Sequence, residues 1–352
     1  MSQSADQLYF SICPVFVVSH VSHRLGLLEQ ELAAVGESAL GLEQHPSGQG
    51  ALIHSRHSDR YQVRDGGNVP AISARADHSD TVLLGSTDIN QGGQIVVRAE
   101  APLWRLEDLR GRRIGVSHSL DAQRVDWWRA NSLRSIDIAL RHSGLEAAEV
   151  QLVDVPHAPG NGPWRGTDGA LNKEQRTLRL PFTPELAALE EGRVDAIYTT
   201  QGRAEIYERT GRFKVLADLS RLPDWVARIA TTPYTLVASR ALVEERPQVP
   251  VAWLRANIRA AQWVRKQPRQ AAEIFHKATY DATVEDVLRV IEGVDFTPSL
   301  APRNLAGLAI GKNWLRDNGF IRNDFAIEDW ARPEFLAQAW DSLQATAQQG
   351  GA

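Results

Sequence analysis

Three side chains of this sequence are of types that can carry out chemistry together: Cys13, His54 and Arg64. Cys13 is the single cysteine of the 352 residues, so it cannot form an internal disulfide and is either buried filler or a reactive thiol. An imidazole within hydrogen-bond reach can orient a thiol or share its proton. A guanidinium offers a fork of donors that fits a sulfinate, carboxylate or phosphate. The three together predict thiol chemistry on an anionic substrate.

Two glycines follow Arg64 closely, Gly66 and Gly67, and they let backbone N–H groups approach an anion at the start of the next helix. Each candidate also has a purely structural interpretation, because most histidines are satisfied or exposed and most arginines are solvated. His57 lies three residues after His54, so a metal pair is conceivable. No cysteine cluster, HExxH motif or obvious carboxylate ligand accompanies that pair, and we expect neither a metal nor another cofactor.

The elements that must position these residues follow from the pattern of apolar runs. Short apolar runs alternate with helical periodicity, which predicts an α/β fold, and 352 residues are enough for two lobes. Residues 9–18 are the predicted first strand, which contains Cys13, and His54 falls on a helix that opens near Ser47. Residues 65–70 are predicted to be a break before the next helix. Such sheets bind ligands at the carboxyl ends of their strands, so we expect Cys13 near the lobe interface.

The predicted domain boundaries divide the chain into two lobes. Residues 1–97 and 213–352 form the first lobe, which carries the three candidate catalytic residues, and residues 98–212 form the second, which closes on the substrate. Residues 157–179 are predicted to be a long functional or mobile loop. The chain holds 10 tryptophans, and core packing is the ordinary role of such side chains. Those predicted to lie in the second lobe are candidate contacts for a flat aryl group: Trp127, Trp128 and Trp164.

The composition argues against two classes of partner. The net charge is −4, from 39 Lys+Arg and 43 Asp+Glu, and no block of like charge could follow a phosphate backbone, so we expect no nucleic acid. The apolar run at residues 8–18 is too short to span a bilayer and lacks the basic start and cleavage site of an export signal. We therefore expect a cytoplasmic protein without a membrane partner. We also expect a monomer, although no sequence pattern determines the oligomeric state.

Three segments resemble the sulfonate and nitrate solute-binding proteins of ABC importers: residues 106–116, 190–199 and 234–247. The resemblance implies a type II periplasmic-binding-protein-like fold, with two lobes, central mixed sheets and crossover strands between them. In that family the lobes close on a small oxyanion. One alternative function is therefore binding of a sulfonate-like oxyanion without catalysis, for import or as a cytoplasmic sensor. Thiamine-precursor synthesis proteins share this fold, but their cysteine-rich motif is absent here.

A second resemblance rests on the segment Tyr-Phe-Ser-Ile-Cys-Pro-Val at residues 9–15, on residues 50–70 and on residues 328–336. These segments are similar to the 2'-hydroxybiphenyl-2-sulfinate desulfinase family of dibenzothiophene desulfurisation, which shares the same fold. The resemblance implies a hydrolase that cleaves the C–S bond of this or a close aryl sulfinate to 2-hydroxybiphenyl and sulfite. It also implies an enzyme that needs no cofactor.

The family motif can be carried over residue by residue. Ser11 lies two residues before Cys13, as a serine does before the catalytic cysteine of the family. His54 and Arg64 are ten residues apart, like the active-site histidine and arginine of the family. The resemblance thus implies that these three are catalytic, that Ser11 contacts the substrate, and that Gly66 and Gly67 supply backbone donors.

One position departs from the family pattern. The aromatic residue that the family places against its substrate in the second lobe falls near Asn131 in this sequence. Trp127 and Trp128 lie close by and are the predicted substrate contacts. Whether the cysteine attacks the sulfinate sulfur or delivers a proton to the ring carbon is left open by the sequence.

Overall fold

The computed structural model describes residues 7–89, 93–157, 183–228, 232–279 and 283–349. Within these ranges the chain forms two five-stranded sheets with helices packed around them. Trp164 and the predicted loop after residue 157 lie outside the described residues. No described helix is both long enough and apolar enough to cross a bilayer.

The first sheet has the strand order β2-β1-β3-β10-β4. Strand β1 pairs parallel with β2 and β3, whereas β10 runs antiparallel to β3 and β4, so the sheet is mixed. The strands β1, β3, β4 and β10 are buried along their whole length, as expected for strands covered on both faces. The strands are β1 (Leu8–Ile12), β2 (Ala39–Gly41), β3 (Gln62–Gly66), β4 (Thr81–Thr87) and β10 (Tyr234–Ser239).

The second sheet has the order β7-β6-β8-β5-β9 and is also mixed. Strand β6 is parallel to β7 and β8, and β5 is antiparallel to β8 and β9. The chain passes from the first sheet to the second between β4 and β5 and returns between β9 and β10. This arrangement confirms the predicted α/β class with two mixed sheets. The strands are β5 (Gly93–Arg98), β6 (Arg113–Ser119), β7 (Gln151–His157), β8 (Ala196–Thr200) and β9 (Phe213–Asp218).

The sheet pairing moves the predicted lobe boundaries. Residues 93–97 were assigned to the first lobe, but β5 pairs with β8 and β9 in the second sheet. Residues 213–218 were also assigned to the first lobe, but β9 belongs to the second sheet. Strands that leave and re-enter a sheet have the same apolar composition in either sheet, so only their hydrogen-bond partners reveal where they belong.

Helices cover both sheets, and a run of helices follows β10 to the end of the described residues. The helices are α1 (Ser19–Arg24), α2 (Leu27–Ala33), α3 (Gly50–Arg56), α4 (Asn68–Asp77), α5 (Trp127–His142), α6 (Pro184–Glu190), α7 (Gln201–Arg209), α8 (Trp225–Arg228), α9 (Arg240–Glu245), α10 (Gln248–Lys266), α11 (Pro268–Ala278), α12 (Val284–Ile291), α13 (Pro302–Asp317), α14 (Ile327–Trp330) and α15 (Pro333–Gln349). Side chains of α4, α5 and α13 meet in one apolar cluster, which links the second sheet's first helix to the first sheet.

Two local predictions around the candidate residues were wrong. The first strand ends at Ile12 rather than near residue 18, because Pro14 has no N–H to continue the ladder and the chain turns into α1. Residues 62–66 form a central strand, whereas residues 65–66 were predicted to begin a break. The adjacent charged residues Arg64 and Asp65 hide β3, because a sequence of this kind is typical of an exposed loop, whereas all five residues of the strand are buried.

Candidate functional site

Cys13 lies one residue beyond β1, at the carboxyl end of the strand. Its N–H donates to the carbonyl oxygen of Asp65 at 2.8 Å, which extends the β1–β3 ladder by one bond. The register pairs Ser11 with Arg64 and Ile12 with Asp65. The thiol is buried, with the residue 9% exposed, and it sits where parallel strands of such sheets present ligand-binding groups.

His54 approaches the thiol from the helix α3. Its Nε2 lies 3.3 Å from Cys13 Sγ, and its Nδ1 lies 2.8 Å from Ser11 Oγ. Ser11 is fully buried on β1, so the hydroxyl fixes the ring from the far side. With both ring nitrogens engaged, the imidazole has one orientation, and the thiol and the hydroxyl compete for its single proton.

Arg64 approaches the same sulfur from the neighbouring strand β3. Its Nη2 donates to Cys13 Sγ at 3.3 Å, and its Nη1 donates to the carbonyl oxygen of Gly67 at 3.0 Å. The residue is 0% exposed, which is unusual for an arginine and costly unless the charge has a purpose or a partner. The sulfur therefore lies between an imidazole and a guanidinium.

Gly66 and Gly67 have different reasons to be glycine. A Cβ built on Gly66 would lie 2.1 Å from Cys13 Sγ, so any side chain there would displace the thiol. A Cβ on Gly67 would meet no atom within 4 Å, and this residue is the N-cap of α4. The first glycine makes room for the sulfur, and the second leaves space beside the start of a helix.

A second set of buried polar groups holds the backbone of Cys13 and of its strand neighbour Asp65. His20 Nε2 donates to the carbonyl oxygen of Cys13 at 2.7 Å. The Asp65 carboxylate accepts from Ser19 Oγ at 2.6 Å, and Ser19 Oγ in turn accepts from Asn257 Nδ2 at 3.0 Å. These contacts fix the backbone on both sides of the thiol, which holds its side chain in place.

The buried ionisable groups near the thiol have shifted pKa values. Burial lowers the pKa of His54 well below its ordinary 6.5, and the nearby Arg64, His57 and Arg124 lower it further. Burial and then Arg64 also lower the pKa of His57 to about 3. Both rings are therefore neutral at pH 7. Burial raises the pKa of Asp65 to about 6, although the hydrogen bond from Ser19 and the charge of Arg64 oppose the rise.

The conceivable metal pair of His54 and His57 does not form a site in the structure. His57 Nε2 donates to the carbonyl oxygen of Gln62 at 3.2 Å, and the residue ends α3 in a left-handed conformation. Across the ranges that the structure describes, no group of three or more His, Cys, Asp or Glu side chains is placed to hold a metal ion.

Trp127 and Trp128 begin α5 beside the second sheet. Trp127 is 47% exposed, and the two indoles meet edge to face at 5.5 Å. Trp128 Nε1 donates to Glu185 Oε1 at 2.8 Å, and its ring lies 5.3 Å from that of Tyr198. Trp128 thus packs within the second sheet's own side chains, whereas Trp127 offers a partly open face. Neither of these contacts joins an indole to Cys13, His54 or Arg64.

The segment just before α5 brings the second sheet's side of the molecule to the thiol group. Arg56, on the same helix as His54, donates through Nε and Nη2 to the carbonyl oxygen of Gln123 at 3.0 and 2.8 Å. Arg124, the next residue, is close enough to lower the pKa of His54. The tryptophans follow Arg124 within one turn, so the thiol group and the aromatic pair belong to adjoining parts of one region.

The comparison with known proteins is informative at the level of sequence. The 2'-hydroxybiphenyl-2-sulfinate desulfinases of Rhodococcus erythropolis and Rhodococcus qingshengii are each 29% identical over 356 residues, covering 94% of this chain and 93% of theirs. The chain is homologous to these desulfinases. No protein-family model matches the chain.

Solved structures agree with this relationship at the level of the fold. A cysteine-to-serine mutant of the desulfurization enzyme DSZB in complex with biphenyl-2-sulfinic acid matches with a TM-score of 0.76 and 24% identity, covering 96% of this chain and all of that one. The aliphatic sulphonate binding protein SsuA from Escherichia coli matches with a TM-score of 0.65 and 16% identity, over 93% of this chain and 92% of that one. The predicted periplasmic-binding-protein-like fold is confirmed.

The structure also shows polar groups near the thiol that the sequence did not single out. His20 holds the Cys13 carbonyl, and Asp65 fixes the Cys13 N–H through its own carbonyl. Asn68, the first residue of α4, is 3% exposed, and its Nδ2 has no hydrogen-bond partner. Asn68 had a weak signal, its place directly after Gly67, whereas nothing in the sequence pattern links His20 to Cys13.

Proposed function

We propose that this protein is an aryl sulfinate desulfinase, which hydrolyses the C–S bond of 2'-hydroxybiphenyl-2-sulfinate or a close aryl sulfinate to 2-hydroxybiphenyl and sulfite. The observation that carries the proposal is the position of Cys13 Sγ, which lies 3.3 Å from an imidazole nitrogen and 3.3 Å from a guanidinium nitrogen. Homology to the desulfinases over 94% of the chain supports the substrate class.

In this proposal the three side chains have separate roles. Arg64 holds the negatively charged sulfinate beside the thiol, since its guanidinium is buried and lies 3.3 Å from the sulfur. His54 is neutral at pH 7 and exchanges a proton with the sulfur, while Ser11 fixes its ring. Gly66 and Gly67 let the substrate oxygens approach backbone N–H groups, and Trp127 and Trp128 contact the aryl rings.

Two routes fit these groups, and both need only the protein and water. In the first, the Cys13 thiolate attacks the sulfinate sulfur, the C–S bond breaks, and the ring carbon takes a proton. The resulting cysteinyl S–SO₂⁻ group is then hydrolysed by water to the free thiol and hydrogen sulfite. In the second, the Cys13 thiol protonates the ring carbon, sulfur dioxide departs, and water converts it to hydrogen sulfite and returns the proton.

Rapid-quench mass spectrometry of the intact protein during turnover separates these routes. The first route predicts an adduct on Cys13 equal in mass to SO₂, which disappears as the substrate is exhausted. An unmodified protein at every quench time, while sulfite accumulates, contradicts the first route and supports the second.

The proposed activity is tested by sulfite release from 2'-hydroxybiphenyl-2-sulfinate, with and without a chelator, for the wild type and Cys13→Ser. We expect chelator-resistant release that falls by about three orders of magnitude or more in the variant, because a serine hydroxyl is a far weaker acid and nucleophile than a thiol. The variant should still bind the substrate. Release that persists in Cys13→Ser would remove the thiol from the mechanism.

A binding protein without catalysis is the second candidate, and the fold shared with sulfonate-binding proteins favours it. It predicts reversible binding of sulfonates or sulfinates by the wild type with no sulfite released. Titration calorimetry beside the sulfite assay distinguishes the two, since an enzyme consumes the sulfinate while a binding protein returns it unchanged.

A further inference from the structure

Two buried donors beside the start of α4 have no hydrogen-bond acceptor among the residues that the structure describes. Arg64 uses Nη2 on the Cys13 sulfur and Nη1 on the Gly67 carbonyl, but its Nε has no partner. The Nδ2 of Asn68 also has no partner, although the residue is 3% exposed. Nearly all buried polar groups in proteins are hydrogen-bonded, so unmatched donors on the residues that flank Gly66 and Gly67 call for an acceptor, which a bound anion would supply.

The local backbone makes the same end of the helix suitable for an anion. Gly67 is the N-cap of the ten-residue helix α4, and no side chain caps the first N–H groups. Pro70, the third residue of the helix, has no N–H to contribute. The side-chain amide of Asn68 supplies a donor at a helix start that has one backbone donor fewer than usual.

There is also room for a ligand at this point. Gly67 leaves open space where a Cβ would stand, whereas the corresponding space at Gly66 is filled by the Cys13 sulfur. Arg64 and Asn68 flank Gly67 in the chain, and Arg64 is bonded to its carbonyl. An oxygen atom beside Gly67 would therefore lie next to the residues that carry the unmatched donors.

We infer that Asn68 is a substrate-binding residue whose side-chain amide donates a hydrogen bond to a sulfinate oxygen, and then to the departing sulfite. This inference rests on the proposed desulfinase function for its substrate and on the buried amide for its residue. A carboxamide suits the role because it is neutral and does not titrate, so it binds an anion without changing its own protonation. It adds a directed donor to the charge of Arg64.

The test compares the wild type with Asn68→Leu and Asn68→Asp, using 2'-hydroxybiphenyl-2-sulfinate, biphenyl-2-sulfinate and inorganic sulfite. In Asn68→Leu we expect KM for both sulfinates and the dissociation constant of sulfite to rise about tenfold, as for loss of one hydrogen bond to a charged group, with a smaller change in kcat. Asn68→Asp keeps the shape and should raise the same constants further, because a carboxylate repels the anion.

Asn323→Leu is the matched control, because the Asn323 amide donates to Asp77 Oδ1 at 3.0 Å at the opposite end of α4. It should leave the kinetic and sulfite constants unchanged. Melting temperatures identify any variant that fails to fold. If Asn68→Leu does not fold, Asn68→Asp provides the test.

Three outcomes would overturn the inference. One is constants within twofold of the wild type in both Asn68 variants. Another is a rise in KM confined to the hydroxylated substrate, which would mean that the amide hydrogen-bonds to the phenol group instead of the sulfinate. The third is a wild type that does not bind sulfite. If the wild type releases no sulfite from either sulfinate, the proposed function fails, but weaker sulfite binding by Asn68→Leu in calorimetry would still support the anion site.

Discussion

The buried polar side chains of the two sheets differ in how they are hydrogen-bonded. Toward the carboxyl ends of β1 and β3, Ser11, Cys13 and Arg64 are buried. His54 contacts both Ser11 and Cys13, and Arg64 donates to the Cys13 sulfur. Beside the Cys13 cluster the unmatched buried groups include the donor nitrogens of Arg64 and Asn68, whereas around the second sheet several buried side-chain oxygens have no hydrogen-bond partner. Examples are Ser117 Oγ on β6, Gln94 Oε1 on β5 and, on the covering helix α5, Asn131 Oδ1.

This difference in hydrogen bonding indicates a different role for each sheet. The first sheet arranges its reacting groups by bonds within the protein, so their geometry exists before a ligand arrives. The second sheet leaves acceptors whose partners must come from water or a ligand, together with an indole at Trp127 that is 47% exposed. In the proposed function the first sheet therefore carries the chemistry, and the second sheet supplies the contact surface for the aryl group. Substitutions on the two sides should differ accordingly.

The largest effect expected within this comparison is that of Arg64→Lys. A lysine ammonium cannot contact both the Cys13 sulfur and the Gly67 carbonyl while keeping a side-on fork for the sulfinate. We expect kcat/KM for sulfite release to fall about 100-fold, mainly through KM. Arg60→Lys, at an arginine whose side chain is 60% exposed and pairs with Glu245, is the control. An Arg64→Lys enzyme within threefold of the wild type would show that the first sheet is less strictly arranged than its geometry implies.

Gly66 and Gly67 provide a test of the geometry on the side of the first sheet. Gly66→Ala places a Cβ 2.1 Å from the Cys13 sulfur, so we expect the thiol to move and turnover to fall about 100-fold. Gly67→Ala meets no atom within 4 Å and should keep the stability of the protein within about 0.5 kcal/mol. Sulfite assays and thermal melts on both variants check this. Equal losses in the two variants would contradict the separate roles given to the two glycines.

The buried histidines around the thiol should make stability depend on pH. The pKa of His20 is about 4 and that of His57 about 3 in the folded protein, and His54 is lowered in the same direction. Their unfolded pKa values are about 6.5, so the unfolded chain binds more protons below that pH, and each histidine removes about 1 kcal/mol of stability by pH 5.5.

Asp65 acts in the opposite direction but more weakly at that pH. Its folded pKa of about 6 lies above the unfolded value of 3.8, so its protonation favours the folded state as the pH falls from 6 toward 4. The three histidines outweigh it, and the melting temperature should fall between pH 7 and pH 5.5. His57→Gln, which keeps an amide donor for Gln62, should make that fall shallower. An unchanged pH slope in His57→Gln would mean that this ring does not remain neutral in the fold.

The smallest effect is expected at the second sheet. Trp127→Ala removes a half-exposed indole, so stability should change by less than about 1 kcal/mol, while KM for the biaryl substrate rises about three- to tenfold through the lost aromatic contact. Trp104→Ala, at an indole that is 75% exposed and lies over Lys214, is the matched control. An unchanged KM in Trp127→Ala would place the aryl contact elsewhere on the second sheet.

Much of the fold was predictable, and the errors were local. Alternation of apolar runs and helices predicted the α/β class, and the predicted start of the first strand at residue 9 lies one residue from its observed start at Leu8. The strand β3 was missed because its Arg64 and Asp65 are charged, and a charged strand looks like a loop until its partners are known. The membership of β5 and β9 in the second sheet was missed because pairing is a long-range property.

The sequence by itself determined which residue types were available to the site. It supplied a single cysteine and two adjacent glycines, and its resemblance to the desulfinase family singled out His54 and Arg64, so that together they predicted thiol chemistry on an anion. Only the tertiary structure decided that His54 and Arg64 meet at the Cys13 sulfur, that Gly66 makes room for it, and that His20 holds the Cys13 carbonyl. The physical reason is that strand register and burial, rather than chain order, bring side chains within hydrogen-bond distance and remove the water that would otherwise satisfy them.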